Sequence, residues 1–184
     1  MDEDGLRSML RSDKLWTGPR SVLESDERFC QIVSYVIIRQ NNSLLTYRRS
    51  PAAGEDRLHG KLSCGIGGHV GAEDLCLSRC EIDGLATVFR AADREVFEEL
   101  SAPNPKKKGI LGVLWDDANP VGRVHVGIVA IWDFAHDDLI SSIDPGIADV
   151  GFMEPDLIVK NSVNAETWST FVVTHLSNEI HVRR

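Results

Sequence analysis

Between residues 85 and 100, Leu85, Val88, Phe89, Ala92, Val96 and Leu100 recur at spacings of three and four. At 3.6 residues per turn those side chains share one face, so the segment predicts an amphipathic helix buried along one stripe. Pro103 and Pro105 stop it. The segments around it have a different character. Gln31 to Arg39 (QIVSYVIIR) is β-branched and aromatic, Asn41-Asn42 supplies turn chemistry, and Ser43 to Arg49 (SLLTYRR) predicts the returning strand of a hairpin. Lys61 to Ile66, Ile110 to Trp115 and Val121 to Trp132 predict further strands, with a weaker one near Val150 to Met153. Within Val121 to Trp132, alternation puts Arg123, His125 and Gly127 on one face and Val124, Val126, Ile128 and Ala130 on the other. A last helix is expected from an N-cap at Asn164, with Trp168, Phe171, Val172, His175 and Leu176 on one stripe. Hairpins with a few helices between them define a mixed-sheet α/β or α+β domain.

A chain of 184 residues can bury one sizeable core, and a second full domain would be a squeeze. Residues 1–29 are polar, with Leu15, Trp16, Val22 and Phe29 as scattered anchors; they are expected to pack as an extension on a domain spanning 30–184. The net charge of −8 argues against a nucleic-acid partner, which would call for a basic face. Apolar runs such as Val126 to Trp132 are far short of a bilayer span, so no membrane partner is expected. The acidic start MDEDGLRSML does not resemble a secretion signal, and four cysteines do not make a disulfide scaffold, so a cytoplasmic location is expected.

The chemistry concentrates at Arg94 to Leu100, REVFEEL. On a helix, Glu95, Glu98 and Glu99 fall within an arc of about 100° beside the apolar face. Like charges so placed cost a few tenths of a kcal/mol per close pair. A hard divalent cation such as Mg²⁺ or Mn²⁺ would offset that cost, because it takes carboxylate oxygens and partners with substrate phosphates. The competing reading is a solvated acidic face partly neutralised by Arg90 or Arg94. Upstream, Gly67-Gly68 ends a short strand, where backbone can approach a metal or phosphate closely.

Gly67-Gly68-His69 followed by Arg94-Glu95-Val96-Phe97-Glu98-Glu99 resembles the signature of the Nudix hydrolases: Gly, five residues, Glu, seven residues, then Arg-Glu-apolar-any-Glu-Glu-any-Gly-apolar. The resemblance covers roughly residues 30 to 176 and implies a Nudix-like α/β/α sandwich with a mixed β-sheet. Three departures stand out. Gly68 and Arg94 are separated by about 12 residues more than the signature has, the position eight before Arg94 is Ala86 where Glu is wanted, and Ser101 replaces the closing Gly. Glu73, Glu81 and Asp83 are the candidates to replace the missing acid.

The resemblance implies a metal-dependent hydrolase that cleaves a pyrophosphate linkage in a nucleoside diphosphate derivative, with Mg²⁺ or Mn²⁺ held by Glu95, Glu98, Glu99 and the carbonyl of Gly68. Glu98 or Glu95 would help a water lose its proton, and Arg94 would orient a glutamate. The implied partner is a small nucleotide or other diphosphate substrate; relatives are often dimers, so a homodimer is open as well. His69 is a candidate for a phosphate contact or an orienting hydrogen bond, Arg123 for a substrate contact alongside His125, and Glu154 or Asp149 for an added loop acid. Arg48, Arg49 and Arg57 are a further source of positive charge, whereas Lys106 to Lys108 reads as a solvated loop. Cys64, Cys76 and Cys80 with His69 make only a loose zinc pattern; Cys30 and Cys64 read as small buried residues. Ala86 keeps a second class open, a domain that binds a nucleotide without turning it over, and an isomerase on the same scaffold is a third.

Overall fold

The computed structural model describes residues 3–52 and 58–182. Arg57 therefore lies outside the described residues. In chain order the elements are α1 (Glu3–Met9), α2 (Arg20–Leu23), β1 (Gln31–Gln40), β2 (Ser43–Arg49), β3 (Leu62–Ser63), β4 (Gly65–Ile66), β5 (Leu77–Ser78), β6 (Glu81–Ile82) and α3 (Gly84–Glu99). They continue with β7 (Leu100–Ser101), β8 (Lys107–Leu114), α4 (Pro120–Arg123), β9 (His125–Phe134), β10 (Ser141–Ser142), β11 (Ile147–Met153), α5 (Pro155–Lys160) and α6 (Thr167–Val182). The main sheet has the order β11-β2-β1-β9-β8, with β3 on β2 and β4 on β1. This is a mixed α/β fold. Among the described residues no helix is long and apolar enough to cross a membrane.

The chain divides into two compact units, both of which use parts of β1, α3, β8 and β9. The first comprises Met1–Val36, Gly67–Val96 and Ile110–Ala130. Its core joins Leu6 and Leu10 of the N-terminal segment to Val88 and Ile128, with Met9, Leu15, Ile32, Val70, Leu85, Ile110 and Val113 around them. The N-terminal segment lies so close to α3 that a side chain at Gly84 would meet the Leu10 carbonyl at 2.3 Å. Leu6 and Leu10 are the buried anchors here, whereas Trp16 and Val22, expected in that part, are more than half exposed.

The stretch between the glycines and the helix folds on itself. Leu77 pairs with Ile82 and Ser78 with Glu81, and the two turn residues Arg79 and Cys80 have φ of 52° and 68°. Two successive left-handed residues make the type I′ turn that matches strand twist, here without the usual glycine. Ser12 of the N-terminal segment accepts the Ile82 N–H at 3.3 Å. Asp83 then caps α3: its Oδ1 accepts from Ala86 N at 3.0 Å, and its carbonyl accepts from the Thr87 N–H at 2.9 Å. Thr87 Oγ1 in turn accepts from Cys76 N at 3.0 Å, tying hairpin to helix. Asp83→Ala is expected to lower stability by about 1 kcal/mol, read as a fall in the urea midpoint at unchanged slope.

The second unit comprises Ile37–Ile66, Phe97–Gly109 and Ile131–Arg184. In it β2 pairs with β11, whose register slips between Ala148 and Gly151, and Asp149 in the bulge has φ 53°. A buried polar cluster underlies β2. Arg49 Nε bonds Glu166 Oε1 at 3.0 Å, Ser63 Oγ donates to Glu166 Oε2 at 3.0 Å, and Ser169 Oγ accepts from Cys64 N at 3.0 Å. Burial works against the Arg49 charge, but Tyr47, Glu166 and Glu99 outweigh it and hold the guanidinium protonated well above its ordinary range.

Four expectations change. Val121 to Trp132 is not one strand, because Asn119 accepts from Gly122 N at 2.9 Å and Pro120 opens a helical turn, so Arg123 belongs to α4 and the strand starts at His125. The final helix begins at Thr167 and not at Asn164, with Glu166 accepting the Thr170 N–H at 3.0 Å. Its buried stripe is accordingly Ser169, Val172, Val173 and Leu176, and Phe171 is half exposed. The Lys106 to Lys108 run is exposed as expected, but it is not all loop: Lys107 opens β8, and Lys108 Nζ sits 4.2 Å over the Trp132 ring. Cys64 is buried as expected, but Cys30 is exposed.

Candidate active site

Residues 67–70 run antiparallel beside residues 32–34. Val70 N donates to Ile32 O, Ser34 N donates to Gly68 O, each at 2.9 Å, and Val33 bridges His69. At Gly67 the backbone opposite leaves no room for a side chain, whereas at Gly68 the nearest atoms belong to the movable Glu95 carboxylate. A Cβ on Gly67 would lie 1.8 Å from the Ser34 carbonyl oxygen, and one on Gly68 would lie 2.4 Å from Glu95 Oε1. Gly68 therefore lets the backbone close on the first glutamate of the REVFEE segment. Its carbonyl, expected as a ligand, is engaged by the Ser34 N–H and, at 3.4 Å, by Ser34 Oγ.

Arg94 organises what lies beside that contact. Its Nε and Nη2 donate to Asp74 Oδ1 and Oδ2, each at 2.9 Å, in a paired arrangement. Nη1 donates to Glu95 Oε1 at 2.8 Å, and Nη2 also reaches the His69 carbonyl at 3.1 Å. Gly71 N adds a hydrogen bond to Asp74 Oδ2 at 2.9 Å. Burial pushes the Asp74 carboxyl up, but the Arg94 hydrogen bonds and the Gly71 N–H outweigh it and hold the group below the ordinary carboxylate range. The Arg94 guanidinium is held above its usual range, chiefly by its hydrogen bonds to Asp74.

Asp74 is the acid that sequence reasoning missed. It stands six residues after Gly68, where the signature places its first acid, with Asp in place of Glu. Counting forward from Gly68 finds it; counting back from Arg94 lands on Ala86, because the extra residues lie between Asp74 and Arg94. None of Glu73, Glu81 and Asp83 takes that part. Asp83 caps α3, Glu81 is exposed in β6, and the Glu73 carboxylate lies against Gly71.

The remaining candidates separate. His69 and His125 meet through Nε2 atoms 2.9 Å apart, with rings 71° to one another. Arg123, expected beside them, bonds Glu27 at 2.7 Å on the surface. Glu154 is exposed at the start of α5, and Asp149 occupies the bulge of β11. Glu98 and Glu99 close the last turn of α3, Glu98 exposed and Glu99 partly buried. Among the described residues no three His, Cys, Asp or Glu side chains already converge as a metal cage, so neither the loose zinc pattern nor a closed carboxylate site is formed. The residue types nonetheless suit a hard cation: Glu95 is pressed on a glycine, and the adjacent Glu98 and Glu99 follow it by about one helical turn.

Solved structures share the fold. Tm1382, assigned to the Nudix hydrolases, superposes with a TM-score of 0.75 at 22% identity over 97% of this chain and 86% of its own. A Nudix hydrolase from Alicyclobacillus acidocaldarius gives 0.60 at 11% identity over 80% and 90%. A bifunctional NMN adenylyltransferase/ADP ribose pyrophosphatase from Francisella tularensis, complexed with AMP and a Mn ion, gives 0.53 at 17% identity over 82% of this chain and 42% of its own. The fold is that of the Nudix hydrolases. No family model matches the sequence. Protein YmaB of Bacillus subtilis (strain 168) is 35% identical over 158 residues, 84% of this chain and 74% of that protein, and the chain belongs to the same family as YmaB.

Proposed function

We propose that the protein is a Mg²⁺- or Mn²⁺-dependent hydrolase of a pyrophosphate linkage in a nucleoside diphosphate derivative. The observation that carries this reading is the Asp74–Arg94–Glu95 chain closing on Gly68. It puts an acid where the signature has one, which supports turnover over binding alone. Glu95, Glu98 and Glu99 are the residues that would hold the cation, which supplies charge neutralisation of the diphosphate and a more acidic water. Arg94, fixed by Asp74, aims the Glu95 carboxylate. Glu98, exposed on the helix end, or Glu95 would receive the water's proton. The Francisella tularensis structure, complexed with AMP and a Mn ion, is in keeping with this reading.

The test is a panel of nucleoside diphosphate derivatives, dinucleoside polyphosphates and nucleotide sugars incubated with Mg²⁺, Mn²⁺ or EDTA. Release of a nucleoside monophosphate that requires the cation and stops with EDTA is the expected result. Silence across the panel, with thermal stabilisation by the same ligands, overturns hydrolysis in favour of binding alone.

A further inference from the structure

We propose that His125 is a positioning residue, which locks His69 and, through it, the Gly68 turn that meets Glu95. The consequence for metal binding rests on the reading above; the lock itself does not. His125 is 8% exposed, and its Nδ1 lies 2.6 Å from the Val121 carbonyl oxygen, which can only accept. That nitrogen therefore carries the proton, and in the neutral ring Nε2 is left as an acceptor. Two groups approach it, His69 Nε2 at 2.9 Å and the Gln31 amide nitrogen at 3.3 Å. Both must donate. His69 is thereby fixed as its Nε2–H tautomer, and the direction of the whole chain, from His69 to His125 to Val121, is set by one backbone carbonyl.

This decides between the two parts expected for His69. With Nε2–H spent on His125, the nitrogen left on the neutral ring is an acceptor, which does not bind a phosphate oxygen. Alignment is the part that remains. His69 is held from three sides: by β1 through the Val33 bridge, by β9 through His125, and by α3 through Arg94 on its carbonyl at 3.1 Å. Gly68, its neighbour, has no side chain of its own with which to be held. The Gly68–Glu95 approach is thus held by Ser34 on the Gly68 carbonyl and by His69 on its other side, and the orientation of the His69 ring depends on His125.

The first arm of the test needs no variant and no metal. Long-range ¹H–¹⁵N spectra of the labelled wild-type protein, at about pH 8.5 where model imidazoles are neutral, are expected to show Nδ1–H at His125 and Nε2–H at His69. Nδ1–H at His69 overturns the lock. The second arm measures Mn²⁺ affinity by calorimetry, well below the melting temperature. His125→Phe is expected to weaken it about tenfold, as loss of an outer partner does, and His125→Gln, which keeps an acceptor at the ε position, to restore most of it. A folded His125→Phe protein with wild-type affinity overturns the positioning role, since a merely structural loss would lower the melting temperature alone. A wild-type protein that binds no Mn²⁺ overturns the metal reading instead, and the tautomers still decide the lock.

Discussion

Glu98→Gln is expected to leave the fold unchanged and to lower kcat by about three orders of magnitude, the scale of a lost general base. The side chain is exposed in the last turn of α3, so replacing it shifts stability by no more than about 0.5 kcal/mol. The amide is nearly the same shape but accepts no proton at neutral pH and is a poorer cation ligand. The measurement is single-turnover hydrolysis of the best substrate from the panel, at saturating Mn²⁺, beside a thermal melt. Full activity in this variant would remove Glu98 from the chemistry and shift the base to Glu95.

Asp74→Ala is expected to act on both fold and site. The Asp74 carboxylate is 2% exposed and accepts two hydrogen bonds from Arg94 and one from Gly71. Removing it strips a partly buried guanidinium of its paired acceptor, at a cost of about 2 to 3 kcal/mol. For a chain of this size that is a fall of about 5 to 10 °C in Tm. Activity should fall even at temperatures where the variant is folded, because Arg94 then has less to hold it against Glu95. Acid titration gives an independent check. The fold depresses the Asp74 pKa, so its contribution is complete above the ordinary value of 3.8 and is lost as pH falls below that through the folded value. Asp74→Asn should flatten that part of the stability curve; an unchanged acid limb would show that Asp74 is not a source of it.

The elements that alternation and helical spacing describe were readable: β2 was expected from Ser43 to Arg49 and α3 within a residue of its ends. What could not be read depended on contacts distant in the chain or on local capping. Nothing in VGRV announces a helical turn until Asn119 is seen to cap it. The glutamates were identifiable because a helix sets their spacing. Asp74 was missed because the count ran back from Arg94 across the added residues; a count forward from Gly68 reaches it, while its pairing with Arg94, 20 residues on, is defined only in space. His125 was named only alongside Arg123 for a substrate contact; its 2.9 Å distance to His69 is what separates it from Arg123.

That spatial pairing has an entropic side. Asp74 and Arg94 close a loop of 19 intervening residues where the family signature has seven. For a flexible connection the added length would cost about 0.9 kcal/mol of closure entropy. The β5–β6 hairpin and the Asp83 cap take up most of that length in structure of their own, so the ion pair closes a much shorter effective loop. Length can accordingly be added or removed at the Arg79–Cys80 turn while the geometry of the acid and the arginine stays fixed.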